Sequence, residues 1–425
     1  MRDELLGAAR TALRQAGAGP EACAVWVPGR IEVLGKHTDY AGGRSLVCAV
    51  SQGFVAAAAP RNDARVRVLN VTEGTEVTLA LDPHLAPQTV SWAGYPATVL
   101  RRVARNFPEA TCGADLAFVS NLPPASGMSS SSAFMVAVLL VMAEINRLAE
   151  TEIYRREIHG AEDLAAYAAT IENGQSYGVL TGDRGVGTFG GSEDHTAMLC
   201  GREGELSQYS FCPVRHERQI PFPTALRLVV AVSGIKAEKS GAAKDAYNRA
   251  SLGVRAILEI WCTASGRHDG SLAEAVARAG AAQVREILAH GATDGFTTEM
   301  LLDRFDQFVE ESVSIVPAAG DAMARGEWDR FGVLVDRSQD LAERLLRNQV
   351  PETIALARLA REHGAMAASA FGAGFGGSVW ALVPGDAAPA FARRWQSAYG
   401  AAFPDRAGQA AFLVTRPGPA ATRLA

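Results

Sequence analysis

The sequence predicts an α+β protein built from two lobes. Its 425 residues exceed a single domain of roughly 150 residues, so two or three folded units are expected. Strand patterns dominate the first 80 positions, helical spacing dominates 243–361, and a proline-bounded segment, 213–223, separates the two halves. We therefore predict an N-terminal lobe over residues 1–215 and a C-terminal lobe over residues 216–425.

The first lobe is predicted to hold a small sheet flanked by helices. Its apolar patterns indicate, in chain order, a helix at 3–16, strands at 24–27, 30–34, 45–50, 54–58 and 66–68, a helix at 97–107, a strand at 116–119, and helices at 133–148 and 161–173. Pro28-Gly29 is expected to break the first strand. A turn at 39–43 adjoins a charged segment, and charged loops on rigid strands are frequent sites of chemistry.

The second half begins after a glycine-rich stretch. Seven glycines within residues 174–191 indicate either backbone approach to a ligand or a flexible surface loop, and composition leaves both open. The later patterns predict a strand at 226–232, helices within 243–361, a polar surface loop at 263–272, and strands at 367–371, 378–383 and 411–415.

Charge, hydropathy and cysteine usage exclude several classes of protein. Forty-one Lys and Arg against 46 Asp and Glu give 41 − 46 = −5, which argues against nucleic acid or an anionic membrane as partner. The longest apolar run, 133–143, is too short to span a bilayer, and the acidic N-terminus does not resemble a signal peptide. The six cysteines form no CxxC pair and are expected to be reduced. We expect a soluble cytoplasmic protein with no obligate protein partner.

A serine-rich segment at 127–132 is a candidate phosphate loop. It begins with Gly127 and leads into a helix, whose free N–H groups and dipole favour an anion. Its serine hydroxyls are also suitable ligands for Mg²⁺. It is not a Walker A loop, because no Lys follows. Serines that only cap the helix are the alternative.

Two further segments carry polar or glycine-rich patterns. Residues 29–43 place Arg30, Lys36, His37 and Asp39 on a strand and turn, where they could surround a polyol, although a solvated hairpin tip would look similar. The four glycines within 372–377 permit close backbone packing or a plain tight turn.

Taken in chain order, 29–43, 127–132 and 372–377, the three segments resemble the three motifs of the GHMP small-molecule kinases. The stretch from Gly29 to Gly43 is similar to the galactokinase signature G-R-(V/I)-N-L-I-G-E-H-T-D-Y-N-G-G, and the resemblance extends from about residue 24 to 385. It implies a two-lobed GHMP kinase fold, with an N-terminal lobe like domain 2 of ribosomal protein S5, a ferredoxin-like C-terminal lobe and the active site between them. It also implies an ATP- and Mg²⁺-dependent kinase acting on the anomeric hydroxyl of a galactose-like sugar.

The resemblance further implies roles for single residues. Arg30 and Asp194 match the catalytic pair, and Glu193 is the rival base. The expected sugar-binding residues are Lys36, His37, Asp39, Gly191 and Tyr247. The expected ATP-binding residues are Gly127, Ser129, Ser130, Ser131, Ser132, Gly372 and Gly374, and the expected Mg²⁺ ligands are Ser131 and Glu172.

Two departures from the family pattern bear on specificity. Lys36 replaces the family's Glu, which bonds the sugar's C6 hydroxyl, and Glu32 replaces its Asn. A lysine only donates, so a hexuronate such as galacturonate, or another modified aldose, is the alternative substrate. An internal Glu32–Lys36 pair would instead leave the pocket neutral. A non-catalytic sugar sensor and a kinase for mevalonate or homoserine are the remaining alternatives.

Overall fold

The computed structural model describes residues 2–88, 92–123, 126–235 and 241–425. Within these ranges the chain forms two β-sheets, each covered by helices. None of the helices described combines the length and the apolarity that crossing a membrane requires.

Twelve strands are distributed over the two sheets. They are β1 (Cys23–Leu34), β2 (Arg44–Pro60), β3 (Arg65–Asn70), β4 (Thr75–Ala80), β5 (Ala114–Ser120), β6 (Glu205–Ser210), β7 (Arg215–Pro221), β8 (Leu226–Val232), β9 (Ala367–Phe371), β10 (Ser378–Pro384), β11 (Ala411–Thr415) and β12 (Thr422–Leu424). The larger sheet has the order β12-β1-β2-β5-β3-β4, and β6 pairs with β2 and carries β7 on its other edge. The smaller one has the order β11-β8-β10-β9.

The described helices are α1 (Arg2–Gln15), α2 (Gly94–Asn106), α3 (Ser130–Ile145), α4 (Glu152–Glu157), α5 (Ala161–Asn173), α6 (Glu193–Cys200), α7 (Gly241–Ser265), α8 (Leu272–Ala279), α9 (Ala281–His290), α10 (Thr298–Val309), α11 (Val316–Arg325), α12 (Trp328–Leu341), α13 (Pro351–Glu362) and α14 (Ala388–Ala402). A π-helical turn, Glu310–Ile315, joins α10 to α11, and a second one, Ala342–Leu346, follows α12.

The larger sheet is covered on both faces, and β1 is a fully buried strand within it. All twelve residues of β1 are buried. Alternate side chains point to opposite faces of a strand, so Trp26 packs against α1 while Val25 and Val27 belong to the core that contains α3. Functional side chains on β1 are therefore held by a rigid, dry scaffold.

The smaller sheet is antiparallel throughout and is also covered on two sides. One face carries α13 and α14, where Leu356 and Trp395 pack on Val229. On the other face, the ring of Phe331 on α12 lies 6.4 Å from that of Trp380 on β10. A four-stranded antiparallel sheet with helices fits the expected ferredoxin-like lobe.

The change from one sheet to the other falls at residues 222–225, which overlap the end of the segment 213–223 identified as the separator. A division at 215/216 would cut β7, which pairs with β6 in the larger sheet. The C-terminal strand β12 also belongs to the larger sheet, because it pairs with β1. The division into lobes at 1–215 and 216–425 stays a prediction.

Most predicted elements are present, and the break at Pro28-Gly29 is wrong. β1 continues through these residues with a register shift between Pro28 and Arg30, and β2 runs unbroken from Arg44 to Pro60. A Cβ on Gly53 would lie 2.3 Å from the carbonyl oxygen of Val27. Glycine at 53 thus lets the two strands approach closely, and one long strand stands where two, at 45–50 and 54–58, were expected.

The polar stretch 263–272 is more than a surface loop. α7 extends to Ser265, and the buried Asp269 accepts a hydrogen bond from Trp261 Nε1 at 2.7 Å. Arg267 and Arg278 pair with the same carboxylate. The stretch is polar because a buried acid that fastens α7 to α8 needs several donors.

Candidate active site

A cavity of about 1060 Å³ lies where the two lobes meet. Its walls come from β1, the turn after it, the start of α3, the end of α5, the glycine-rich loop 185–191, the start of α6 and the glycine loop before β10. All three sequence segments singled out above contribute to this one cavity.

Arg30 and Asp194 form an ion pair in the wall of the cavity. Arg30 Nε lies 2.6 Å from Asp194 Oδ1, and another guanidinium nitrogen donates to the carbonyl oxygen of Gly127 at 2.5 Å. The hydroxyl of Ser129 donates to Asp194 Oδ2. The arginine side chain is only 4% exposed. A guanidinium and a carboxylate are thus held rigidly beside the start of α3.

Glu172 lies at the end of α5 and faces the serine segment. Its Oε2 accepts a hydrogen bond from Ser132 Oγ at 2.7 Å and lies 3.3 Å from His195 Nε2. Ser131 and Glu172 both line the cavity. A carboxylate and a hydroxyl are oxygen donors of the kind that Mg²⁺ prefers, and Mg²⁺ needs few protein ligands when phosphates complete its shell. These two residues therefore fit the ion.

Asp39 and Gly191 meet across the cavity wall. Asp39 Oδ2 accepts from the backbone N–H of Glu193 at 3.2 Å, and Oδ1 accepts from that of Tyr40 at 2.8 Å. A Cβ on Gly191 would lie 2.4 Å from Asp39 Oδ2, so only glycine permits this approach. Burial raises the pKa of Asp39.

The ring of His37 is fixed by the protein on both sides. Its Nε2 lies 3.0 Å from the carbonyl oxygen of Ala373, which can only accept, so Nε2 carries the proton and Nδ1 accepts from Tyr40 Oη at 2.7 Å. Burial, with the nearby Arg304, lowers the pKa of His37 to about 4. The ring of Tyr247 lies 5.3 Å from it. His37 and Tyr247 line the cavity as neutral groups.

The glycine loops approach the same arginine. Gly127 and Gly372 have φ of +71° and +80°, in the left-handed region that favours glycine. A Cβ on Gly372 would lie 3.1 Å from the carbonyl oxygen of Gly127 and 3.4 Å from an Arg30 nitrogen. Gly374 also has positive φ and packs on Asn348. Ser130 joins Ser129 and Ser131 in lining the cavity, while Ser132 is directed to Glu172.

The structure does not bring Lys36 into the cavity. Its side chain is 1% exposed, and its Nζ donates to Ser338 Oγ at 2.9 Å. Ser338 in turn donates to Glu311 Oε1 at 2.9 Å, and the same oxygen accepts from the backbone N–H of Gly35. The expectation that Lys36 contacts the sugar is therefore corrected: this ammonium is held by α12 and the π-helical turn before α11.

The Glu32–Lys36 pair, the alternative arrangement, does not form either within the part of the chain described. No hydrogen bond or ion pair joins the two side chains there. Glu32 instead lines the cavity, and its Oε2 accepts from the backbone N–H of Gly372 at 3.3 Å. Glu193 also lines it, and its Oε2 accepts from Ser45 Oγ. Burial raises the pKa of Glu193 well above its usual value, and the neighbouring Glu32 and Asp39 add to this.

Sequence reasoning missed two parts of the cavity. Trp92, Phe118 and Phe134 form an aromatic cluster, with 4.2 Å between the rings of Phe118 and Phe134. Arg101 on α2 pairs with Asp183 at 2.6 Å, and both side chains are buried. Apolar residues in a strand and a helix are indistinguishable in sequence from ordinary core. The arginine at 101, which directly follows Leu100 in a predicted helix rich in apolar residues, was a signal available in the sequence.

Family models match three parts of the chain. The galactokinase galactose-binding signature matches residues 14–60, the N-terminal domain of GHMP kinases matches 94–191, and the C-terminal domain of GHMP kinases matches 321–401. Each matched range contains or adjoins one of the three segments that line the cavity.

Whole-chain comparisons agree with these matches. The galactokinase of Streptomyces coelicolor is 30% identical over 403 residues, covering 91% of this chain and 90% of that protein. The galactokinase of Chloroflexus aggregans is 28% identical, covering 84% and 82%. The crystal structure of Lactococcus lactis galactokinase with galactose has the same fold, with a TM-score of 0.79 and 22% identity over 99% of this chain and 100% of that one.

Proposed function

This chain belongs to the galactokinase family of GHMP kinases and is a sugar kinase, and from that premise we propose that it phosphorylates the anomeric hydroxyl of a galactose-like sugar. The products are the sugar 1-phosphate and ADP. The observation that carries the proposal is the Arg30–Asp194 ion pair beside the serine segment, in a cavity that also holds Asp39 and Gly191.

The ion pair supplies the two electrostatic needs of phosphoryl transfer. Asp194 orients the attacking C1 hydroxyl and accepts its proton, because a carboxylate held beside a reacting hydroxyl can act as a general base. Arg30 stabilises the charge on the transferring phosphoryl group. Burial of the guanidinium strengthens that interaction, because fewer water molecules screen it.

The sugar is held by the groups around Asp39. Asp39 accepts from ring hydroxyls, Gly191 leaves the space that a Cβ would fill, and the neutral phenol of Tyr247 donates. His37 contributes its ring surface rather than a nitrogen, because both of its nitrogens are bound by the protein.

ATP lies along the rest of the cavity. The N-terminus of α3, with Gly127 and the serines from Ser129 to Ser131, faces its phosphates, and the loop with Gly372 and Gly374 closes over them. The aromatic cluster of Trp92, Phe118 and Phe134 offers a surface on which a nucleobase can stack. Glu172 and Ser131 would hold Mg²⁺, which neutralises charge on the phosphate oxygens when bound.

The other functions considered have less support from the geometry. The hexuronate alternative depended on Lys36, whose ammonium is bound to Ser338 and does not line the cavity. A sensor without turnover would not need the Arg30–Asp194 pair, and a kinase for mevalonate or homoserine would not need the galactose-binding signature. The cytoplasmic location predicted from the sequence remains part of the proposal.

The test is ADP release with Mg·ATP and a panel of acceptors, with the product position read by ³¹P NMR. The panel contains galactose, other neutral aldoses, galacturonate, mevalonate and homoserine. We expect a sugar 1-phosphate from galactose or a close neutral aldose, formed about 10²-fold or more slowly by Arg30→Ala. Product at another hydroxyl, or turnover of mevalonate or homoserine alone, would contradict the proposal.

A further inference from the structure

Glu32 is a buried carboxylate in the cavity wall, and one of its oxygens is bound by none of the residues described. Glu32 is 3% exposed, and its Oε2 accepts a hydrogen bond from the backbone N–H of Gly372. Oε1 has no hydrogen-bond partner among the residues described. An unpartnered acceptor on a buried side chain costs free energy unless a ligand or water supplies a donor.

Glu32 stands among charges of both signs, because Lys36 and Arg30 favour its ionised form while Glu311 and Asp194 oppose it. Arg30, Lys36, Glu311 and Asp194 all act on its carboxylate, and burial raises the pKa of Glu32 to about 7. Lys36 is committed to Ser338 behind the wall. Arg30 is committed to Asp194 and the carbonyl oxygen of Gly127. Neither cation donates a hydrogen bond to Glu32, so its free oxygen is left to the ligand.

Glu32 rather than Lys36 is therefore the departure from the galactokinase signature that faces the substrate. We propose that Glu32 is a specificity-determining residue, whose Oε1 accepts a hydrogen bond from one hydroxyl of the sugar and whose carboxyl group disfavours a carboxylate there. The inference rests on the proposed function. It makes the preferred acceptor an uncharged sugar with a hydroxyl at the position that Glu32 reaches, and it makes hexuronates poor substrates.

A purely structural role for Glu32 is the competing explanation, because its bond to Gly372 joins β1 to the glycine loop. Glu32→Gln separates the two. The N–H of Gly372 requires an acceptor, so the amide oxygen takes the place of Oε2 and the amide NH₂ takes the place of Oε1. The structural bond is kept, while the group facing the sugar changes from an acceptor into a donor.

The experiment compares kcat/KM for galactose, its four monodeoxy analogues (2-, 3-, 4- and 6-deoxy) and galacturonate in wild type and Glu32→Gln. For one analogue we expect kcat/KM to be at least tenfold below that of galactose in wild type. The difference should be clearly smaller in Glu32→Gln, since the contact with the missing hydroxyl exists only in wild type. We also expect the ratio of galacturonate to galactose to rise about tenfold in Glu32→Gln.

Two further variants keep the test decisive. Val33→Ala lies on the same strand, is buried and does not line the cavity, so it reports on general loosening of β1 and should keep the wild-type ratios. Glu32→Asn, with the residue of the family signature, replaces Glu32→Gln if the latter fails to fold by its melting curve.

Two ratios of kcat/KM are compared: deoxy analogue to galactose, and galacturonate to galactose. If either ratio agrees within twofold between wild type and the Glu32 variants, the proposal is overturned while the sugar kinase assignment stays intact. A wild type that phosphorylates neither galactose nor any other neutral aldose contradicts the proposed function together with the role of Glu32. A change of the same size in Val33→Ala would show that the effect comes from the strand and not from the carboxylate, and would also overturn the proposal.

Discussion

The Nε of Arg30 lies 2.6 Å from Oδ1 of Asp194, although 164 positions separate the two residues in the chain. The pair joins β1 to the first turn of α6, two elements that pack together in the N-terminal lobe. Each partner restricts the other, since the arginine is buried and the carboxylate is bound at both oxygens. This arrangement is the basis for the first prediction.

Removing either member of the pair should reduce turnover by 10²-fold or more. Asp194→Ala removes the proton acceptor, and Arg30→Ala removes the cation that stabilises phosphoryl transfer. Steady-state ADP release at saturating sugar and ATP measures the effect. Glu193→Gln is the matched control, because Glu193 neighbours Asp194 and lines the same cavity. Near-normal turnover in Asp194→Ala, with a large loss in Glu193→Gln, would move the base to Glu193.

Glu172→Gln should raise the Mg²⁺ concentration required for half-maximal activity. An amide is a weaker ligand than a carboxylate, while sugar affinity should change little, because the ion contacts phosphate oxygens and not the sugar. Titration of activity with Mg²⁺ at fixed ATP, and calorimetric binding of galactose, give the two readouts. Ser131→Ala should act in the same direction more weakly. An unchanged Mg²⁺ requirement in both variants would remove these residues from the metal site.

Lys36→Glu should affect stability rather than sugar preference. The new carboxylate would replace an ammonium beside Glu311 and Ser338, in a region where Lys36 is 1% exposed. Breaking a buried charge arrangement by reversing one member costs about 3–5 kcal/mol. Urea unfolding measures the loss, and Lys36→Met combined with Glu311→Gln should be milder than Lys36→Glu alone. A shift of preference from galacturonate toward galactose in a stable Lys36→Glu would contradict the placement of this side chain.

His37 should make the protein less stable as the pH falls from 6.5 toward 4. Burial lowers its pKa to about 4, so in this window the unfolded chain binds a proton that the folded one does not. The contribution is fully present above pH 6.5 and decreases by at most about 3 kcal/mol by pH 4. The free energy of unfolding of wild type and His37→Asn is compared at pH 7 and 4.5. The advantage of wild type should shrink on acidification; a constant difference would refute the buried neutral imidazole.

Gly191→Ala should weaken sugar binding by tenfold or more. The added methyl group would lie 2.4 Å from Asp39 Oδ2, so Asp39 has to move from its position beside the backbone N–H of Glu193. KM for galactose should rise more than kcat falls, since the ion pair of Arg30 and Asp194 is not displaced. Gly160→Ala is the control, because a Cβ there has only a flexible carboxylate at 3.7 Å. Unchanged KM in Gly191→Ala would show that Asp39 does not need its present position.

The sequence was sufficient for much of the local structure and for a minority of the residues that line the cavity. Helix α5, with its predicted bounds of 161 and 173, and strands β8, β9 and β11 appear as expected, because their apolar patterns and flanking glycines or prolines are local signals. The same holds for the candidate residues, since Arg30, Asp39, Asp194 and Gly372 belong to segments with a distinctive order of residue types. Small strands such as β4 and β6 were missed, since mixed polar strands carry little periodicity.

Only the tertiary structure decided that the side chain of Glu32 lines the cavity and that of Lys36 does not. The two residues stand four positions apart, and sequence reasoning placed the lysine at the sugar. The strand β1 shifts its register between Glu32 and Leu34, which changes the direction in which the following side chains point. Ser338 and Glu311, which hold Lys36, lie about 300 positions away in the chain. Local pattern determined which residue types stand in the motif, but their orientation depended on partners that only folding brings near, because a buried charge turns toward whichever group compensates it.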